Sequence, residues 1–115
     1  MPDEEQCVPV VIADFIHEHI DRLETMHVLL LLQATAPRAW TVRQVSVERQ
    51  SSVYSAELSL RQLNRAGLIV RSDGLFSFQP HTSELAERVA SLVSIYRARP
   101  ISIISLIFSG PRGPS

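Results

Sequence analysis

The sequence predicts a mainly α-helical domain with one small β-hairpin, which belongs to the α+β fold class. Several stretches repeat apolar residues every three or four positions, as one face of a helix does. Ser or Thr stands just before three of these stretches, where its side chain can cap a helix. Two short apolar runs also flank Ser72-Asp73-Gly74, a turn sequence typical of a hairpin.

The composition is that of one globular domain. The chain has 115 residues, of which 45% are hydrophobic and 20% charged. We expect residues 8–109 to form this domain, residues 1–7 to be a flexible N-terminus and residues 110–115 to be a disordered tail. The acidic start lacks the pattern of a secretory signal, and no apolar run approaches the roughly 20 residues that span a bilayer. These features predict a cytoplasmic protein without a membrane partner.

The first two helices are expected in the N-terminal third of the chain. Apolar spacing predicts a helix over residues 8–20. Asp21 and Glu24 match a capping box, so a second helix is predicted from Arg22 to about Ala34. The four consecutive leucines at residues 29–32 indicate that this second helix is buried on most sides.

Two further helices follow, separated by a short polar break. Thr41 and Gln44 match another capping box, at the start of a short helix from Val42 to about Arg49. A longer helix is predicted from Val53 to Ala66. Gly67 ends it, because glycine readily adopts the left-handed conformation that closes a helix.

The hairpin and two terminal helices complete the prediction. The strands are expected over residues 68–70 and 75–79. Thr82 or Ser83 is predicted to cap the next helix, whose narrow apolar seam suits packing against another helix. That seam consists of Leu85, Val89, Leu92 and Tyr96. Serines recur every three or four positions in residues 101–109, which predicts a last helix with a thin polar stripe.

This order of elements resembles the winged helix-turn-helix domains of bacterial transcription regulators. The pattern Leu60-x-x-Leu-x-x-x-Gly-Leu-Ile-Val70 is similar to their recognition helix and first wing strand. Trp40 and Thr41 stand where that family has a short strand before its second helix. The resemblance covers residues 21–79, and we therefore expect the winged-helix core there, with additional N- and C-terminal helices. It implies that the third helix of this core presents its outer face to the DNA major groove.

Helical spacing separates an inner and an outer side of this third helix. At about 100° per residue, Val53, Ala56, Leu60 and Leu63 are expected to face inward. Arg61 and Gln62 are then expected to contact guanine and adenine edges. Arg65 and the three serines are expected to contact DNA phosphates, and Arg71 a minor groove or a phosphate. The predicted DNA-contacting residues are Ser51, Ser52, Tyr54, Ser55, Leu58, Arg61, Gln62, Arg65 and Arg71.

The charge distribution favours this surface although the net charge is −1. Residues 1–37 hold seven acids and one arginine, whereas residues 38–71 hold six arginines and two acids. All eleven basic residues are arginine, which binds guanine and phosphate with two parallel hydrogen bonds. The basic segment coincides with the predicted recognition helix and hairpin. Double-stranded DNA is therefore the expected partner.

A protein partner is the alternative. Tyr54 and Leu58 are apolar residues on the predicted outer side, and an exposed apolar pair is typical of a protein contact. Glu57 can also pair with Arg61 four residues later and so neutralise it. The sequence is therefore also compatible with a winged-helix interaction module that does not bind DNA.

The terminal helices predict self-association. A winged core of about 60 residues is too small to cover the apolar surfaces of the first helix and the last two helices together. They are expected either to form a homodimer or to close the core of the monomer. Because no nucleophile, metal-ligand or phosphate-loop motif occurs, we expect neither enzymatic activity nor a cofactor.

Overall fold

The computed structural model describes residues 8–109, and within them the chain forms six helices and one two-stranded antiparallel sheet. In chain order the elements are α1 (Val10–His19), α2 (Leu23–Thr35), α3 (Val42–Arg49), α4 (Val53–Arg65), β1 (Ile69–Ser72), β2 (Leu75–Phe78), α5 (Ser83–Ala98) and α6 (Pro100–Ser109). The predicted α+β class with a small hairpin is therefore confirmed.

The centre of the core lies where α4 packs across α2 and α3. From α2, Met26, Leu29 and Leu32 are fully buried, and from α4, Leu60 and Leu63. α2 also contacts β2 and α6, so neighbours surround it on several sides. None of its four consecutive leucines is exposed, as their uninterrupted run predicted.

The predicted caps of three helices are confirmed. The Thr41 hydroxyl accepts a hydrogen bond from the Gln44 backbone N–H at 3.1 Å, and the Gln44 side chain accepts one from the Thr41 N–H at 3.0 Å. The Ser52 hydroxyl accepts from the backbone N–H of Ser55 at the start of α4. Thr82 does the same at the start of α5. Each cap satisfies a backbone donor that the helix cannot satisfy itself.

The capping box predicted at the start of α2 is wrong. The helix begins at Leu23, after Arg22 in extended conformation, and no side chain of residues 8–109 caps it. The Glu24 carboxylate instead accepts two hydrogen bonds of 3.1 Å each from the Arg49 guanidinium. A bidentate arginine–carboxylate ion pair is stronger than an ordinary capping hydrogen bond. Glu24 therefore joins α2 to α3 instead of capping α2.

Backbone geometry explains the two turns around the hairpin. Gly67 follows α4 with φ of +81°, a conformation that side chains disfavour, and an added Cβ would lie 3.2 Å from the His81 ring. Asp73 and Gly74 both have positive φ, at 54° and 78°. That pair of angles suits the tight two-residue connection between antiparallel strands.

Trp40 links α2 to the hairpin. It is almost fully buried, and its backbone exchanges two hydrogen bonds with Phe76, of 2.8 and 2.7 Å. Its indole N–H donates to the Thr35 hydroxyl at 3.0 Å. The guanidinium of Arg38 lies 3.8 Å from the Trp40 ring centre, in cation–π contact.

The terminal helices pack on one another. α1 contacts both α5 and α6, and it buries Ile12, Phe15 and Ile16. The predicted seam of α5 faces inward: Val89 and Leu92 are buried, while Leu85 and Tyr96 are half-buried. The chain therefore covers much of its terminal apolar surface itself. Val10, Ile101 and Phe108 remain more than 70% exposed, and Val11 is 43% exposed.

Two predictions concern the ends of the chain and its relation to membranes. The predicted flexible segment 1–7 and tail 110–115 lie outside the described residues. Within residues 8–109, no single helix has both the length and the apolar content to cross a bilayer. α5 and α6 meet these criteria only when taken together, and they are bent by 114° at their junction.

Candidate nucleic-acid interface

α4 has a sealed inner side and an outer side that faces solvent. Ala56, Leu60 and Leu63 are fully buried, whereas Arg61 and Arg65 are exposed. The predicted orientation of this helix is therefore confirmed. The two arginine side chains project into solvent from a helix whose opposite side is packed in the core.

Val53 departs from that prediction, because it is 46% exposed rather than part of the core. At about 100° per residue it lies at the edge of the inward arc that Ala56, Leu60 and Leu63 define. It is also the first residue of α4, so no earlier turn of the helix shields it. Val53 therefore adds an apolar side chain to the exposed surface.

The middle of the outer side is less exposed than predicted. Tyr54 is 72% exposed, but Leu58 and Gln62 are half-buried. Residues three and four apart share a helix face, so Tyr54, Arg61 and Gln62 are the neighbours of Leu58 on this side of α4. The Gln62 Oε1 atom is buried and has no hydrogen-bond partner among residues 8–109.

Two of the three serines at the start of α4 are engaged within the chain. Ser52 caps the helix, and the Ser55 hydroxyl accepts a hydrogen bond of 2.7 Å from the Arg22 guanidinium. The Ser51 Oγ atom is buried and without a hydrogen-bond partner among residues 8–109. These contacts position the first turn of α4. Ser52 and Ser55 accept in them, so each hydroxyl keeps its proton to donate, and Ser52 is exposed.

A polar cluster between α2 and α4 was not predicted from the sequence. Arg22 also donates to the Ser59 hydroxyl at 3.2 Å, and the Thr25 hydroxyl donates to Ser59 at 3.3 Å. Ser59 and Thr25 are fully buried. Ser and Thr are mostly exposed in proteins, and the packing of α2 against α4 buries and pairs these two. The cluster ties the start of α2 to the middle of α4.

Arg61 has an acidic neighbour on its own helix. Its guanidinium lies 3.2 Å from a Glu57 carboxylate oxygen, one turn earlier. Both side chains are more than half exposed, so water screens this pair and its contribution is small. The pair is therefore weak enough for another hydrogen-bond acceptor to compete for Arg61.

The hairpin brings another predicted residue next to α4. Arg71 on β1 is exposed, and its guanidinium lies 5.9 Å from the Phe76 ring centre. Arg71 and Arg61 line one small cleft between the hairpin and α4, together with Asn64. Two of the predicted arginines, distant in sequence, thus converge on the same concavity.

Two further arginines lie by α3 and were not among the predicted contacts. Arg38 and Arg43 are exposed and line a shallow surface that includes Trp40 and Val47. Stacking on Trp40 holds the guanidinium of Arg38 in place. Their position in the basic segment pointed to this surface, but only the fold shows that Trp40 supports one of them.

The site has no metal-binding character in the part of the chain that the structure describes. No three His, Cys, Asp or Glu side chains of residues 8–109 lie together as metal ligands do. Its chemistry is that of arginine guanidinium groups, hydroxyls and one exposed tyrosine. Comparisons with protein-family models, with curated proteins and with solved structures found no match.

Proposed function

We propose that this protein is a cytoplasmic DNA-binding transcription regulator of the winged helix-turn-helix type, and that α4 enters the DNA major groove. The observation that carries the proposal is the two-sided character of α4. Leu60 and Leu63 fasten one side in the core, while Arg61 and Arg65 project from the other. Arg71 on the hairpin borders the same cleft as Arg61.

The arrangement of the neighbouring elements suits this role. α2, α3, α4 and the hairpin follow one another in the order of a winged helix, with α4 in the recognition position. Arg61 reads a guanine edge with two hydrogen bonds, and Arg65 and Arg71 contact phosphates. Arg38 and Arg43 extend the phosphate contact along the duplex.

A second copy of the chain is the proposed partner at the terminal helices. We call the exposed apolar residues Val10, Ile101 and Phe108 the terminal surface. Val10 and Ile101 line a groove between α1 and α6 whose lining, among residues 8–109, includes several small residues and no charged one. The lining residues are Val8, Val10, Ala13, Ile101, Ser102, Ser105, Leu106 and Ser109.

Self-association fits this groove because a two-fold axis places a surface against itself. Like charges would then repel, whereas an uncharged apolar groove is compatible with its own copy. Small residues such as Ala13 and Ser105 also permit close approach of two helices. Such a dimer would present two copies of α4 to half-sites about 34 Å apart.

Duplex DNA binding, followed by fluorescence anisotropy at several salt concentrations, tests the proposal. The wild type is expected to bind with steep salt dependence, because phosphate contacts release counterions. The double variant Arg61→Ala/Arg65→Ala should reduce the slope of log K against log salt by about 0.9, the contribution of the one phosphate contact that Arg65 makes, while Arg61 contacts a base edge. Its affinity at physiological salt should fall at least about tenfold, the equivalent of 1.4 kcal/mol.

The matched control removes the same charge elsewhere. Arg97 and Arg99 are exposed at the junction of α5 and α6, and Arg97→Ala/Arg99→Ala should retain the wild-type slope. Equal losses in both double variants would indicate unspecific attraction to positive charge. Full affinity in Arg61→Ala/Arg65→Ala would refute the assignment of α4 as the DNA-contacting helix.

The exposed apolar residues favour a second candidate, a winged-helix module that binds another protein. Tyr54 and Val53 on α4 and Val47 on α3 are all solvent-exposed, and exposed apolar groups are typical of protein contacts. This function predicts no retention on duplex DNA even at low salt. Duplex DNA binding whose affinity falls steeply with salt concentration would contradict this second function.

A further inference from the structure

A second polar cluster joins three helices on the side of α2 that faces α5. His27 lies on α2 between two partners: its Nδ1 atom is 2.9 Å from Arg49 Nη2, and its Nε2 atom is 3.2 Å from the Tyr96 hydroxyl. Arg49 is the last residue of α3, and Tyr96 belongs to α5. Glu24, one turn before His27, holds the Arg49 guanidinium by two hydrogen bonds.

These contacts determine which nitrogen of His27 carries the proton. A guanidinium only donates hydrogen bonds, so the Nδ1 atom facing Arg49 must be the acceptor and cannot carry a proton. In the neutral ring the proton is then on Nε2, where it is donated to the Tyr96 hydroxyl. The neutral imidazole thus satisfies Arg49 and Tyr96 simultaneously.

Protonation of His27 at Nδ1 disrupts this arrangement of hydrogen bonds. Protonated Nδ1 would direct an N–H at the Arg49 N–H across 2.9 Å, with a positive charge on each group. Arg49 cannot simply turn away, because Nη2 uses its other hydrogen for Glu24. Burial lowers the pKa of His27 below its ordinary value of 6.5, and the Arg49 charge lowers it further, while the Glu24 charge opposes both.

We propose that His27 is an acid-sensitive joint between α2, α3 and α5. Neutral His27 accepts from Arg49 and holds Tyr96, which fastens α5 to the end of α3. Protonated His27 repels Arg49 and releases that contact. Because Arg49 is followed by the turn that leads into α4, the release acts next to the start of the proposed recognition helix. The joint does not depend on DNA binding.

Nuclear magnetic resonance titration of the full chain tests the joint directly. The His27 ring is expected to be the Nε2–H tautomer at pH 7.5, and its titration midpoint is expected below 6.5. In Arg49→Met the midpoint should rise, because the variant removes a nearby positive charge and leaves the Glu24 carboxylate unopposed. A Nδ1–H tautomer, a midpoint of 6.5 or above, or an unchanged midpoint in Arg49→Met would overturn the proposal.

The pH dependence of unfolding provides a second, independent test. Because the folded pKa of His27 is lowered, the unfolded chain binds more protons in the window below 6.5, so this contribution to stability is complete above pH 6.5 and declines as pH falls. One proton can reduce the folding equilibrium constant by at most about tenfold per pH unit. His27→Gln keeps a neutral donor and acceptor and should lose less stability between pH 7 and pH 5 than the wild type.

The matched control is His81→Gln, which replaces an exposed histidine in the loop before α5. It should follow the wild-type pH profile. If His27→Gln also follows that profile, the joint does not exist. Should Arg49→Met fail to fold, the comparison of His27→Gln with His81→Gln decides the question alone.

Discussion

Two exposed surfaces of this molecule differ in almost every physical property. The arginine surface, formed by Arg61, Arg65 and Arg71, is charged, and the residues on the opposite side of α4 are buried in the core. The terminal surface is apolar and lies on the helices at the two ends of the described chain. The groove beside it is lined by no charged residue of the described part of the chain. One suits a charged partner and the other an apolar one.

Neither surface contributes much to the stability of the isolated chain. Exposed cations contribute little to folding because water screens them. Exposed Ile101 and Phe108 contribute little because their side chains stay hydrated. We therefore interpret both surfaces as contact surfaces, the first for DNA and the second for another copy. The predictions below test that contrast.

The largest expected effect concerns the support beneath the arginine surface. Leu60→Ala should lower the free energy of unfolding by about 2–5 kcal/mol, because it leaves a cavity in a fully buried site. Val47→Ala, at an exposed apolar site on α3, should change it by less than about 0.5 kcal/mol. Urea unfolding of both variants measures the difference. Similar losses would mean that burial does not distinguish these positions.

An intermediate effect is expected on self-association. Ile101→Glu introduces a charge into the terminal surface and should raise the dissociation constant of the dimer on the order of a hundredfold, equivalent to about 2.7 kcal/mol. Sedimentation equilibrium measures this constant. Val47→Glu introduces the same charge at an exposed apolar residue of α3 and should leave this constant unaltered. A wild type that stays monomeric at every concentration would eliminate the dimer.

The smallest effect concerns the ion pair within the arginine surface. Glu57→Gln should lower the free energy of unfolding by no more than about 0.5 kcal/mol, because the exposed pair with Arg61 is weak. It should strengthen DNA binding about twofold, since Arg61 no longer has a competing carboxylate. Glu84→Gln breaks the equivalent pair with Arg88 on α5 and should not affect DNA binding. Weaker binding by Glu57→Gln would contradict the role of Arg61.

Short sequence patterns predicted the ends of helices correctly where the stabilising contact joins residues close together in the sequence. The capping box of Thr41 and Gln44 and the helix stop at Gly67 depend on neighbouring backbone groups, and both are confirmed. The Asp21–Glu24 prediction failed because Glu24 has a stronger partner, Arg49, that lies 25 residues away. A pattern of four residues carries no information about such a competitor.

The candidate site was predictable in outline but not in detail. Helical spacing correctly separated Leu60 and Leu63 from Arg61 and Arg65. It placed Val53 in the core and left Leu58 outside, because spacing gives an angle but not the position of neighbouring side chains. The support of Arg38 by Trp40 also required the fold.

The sequence by itself determined the α+β class, the hairpin and the two sides of α4, because apolar periodicity and turn residues act over one or two helical turns. Only the tertiary structure decided which polar residues meet. Arg22 with Ser59, and His27 with Arg49 and Tyr96, lie more than 20 residues apart along the chain. Such pairs form only when packed helices bring their side chains within hydrogen-bond distance, and the geometry of that packing is a property of the whole core.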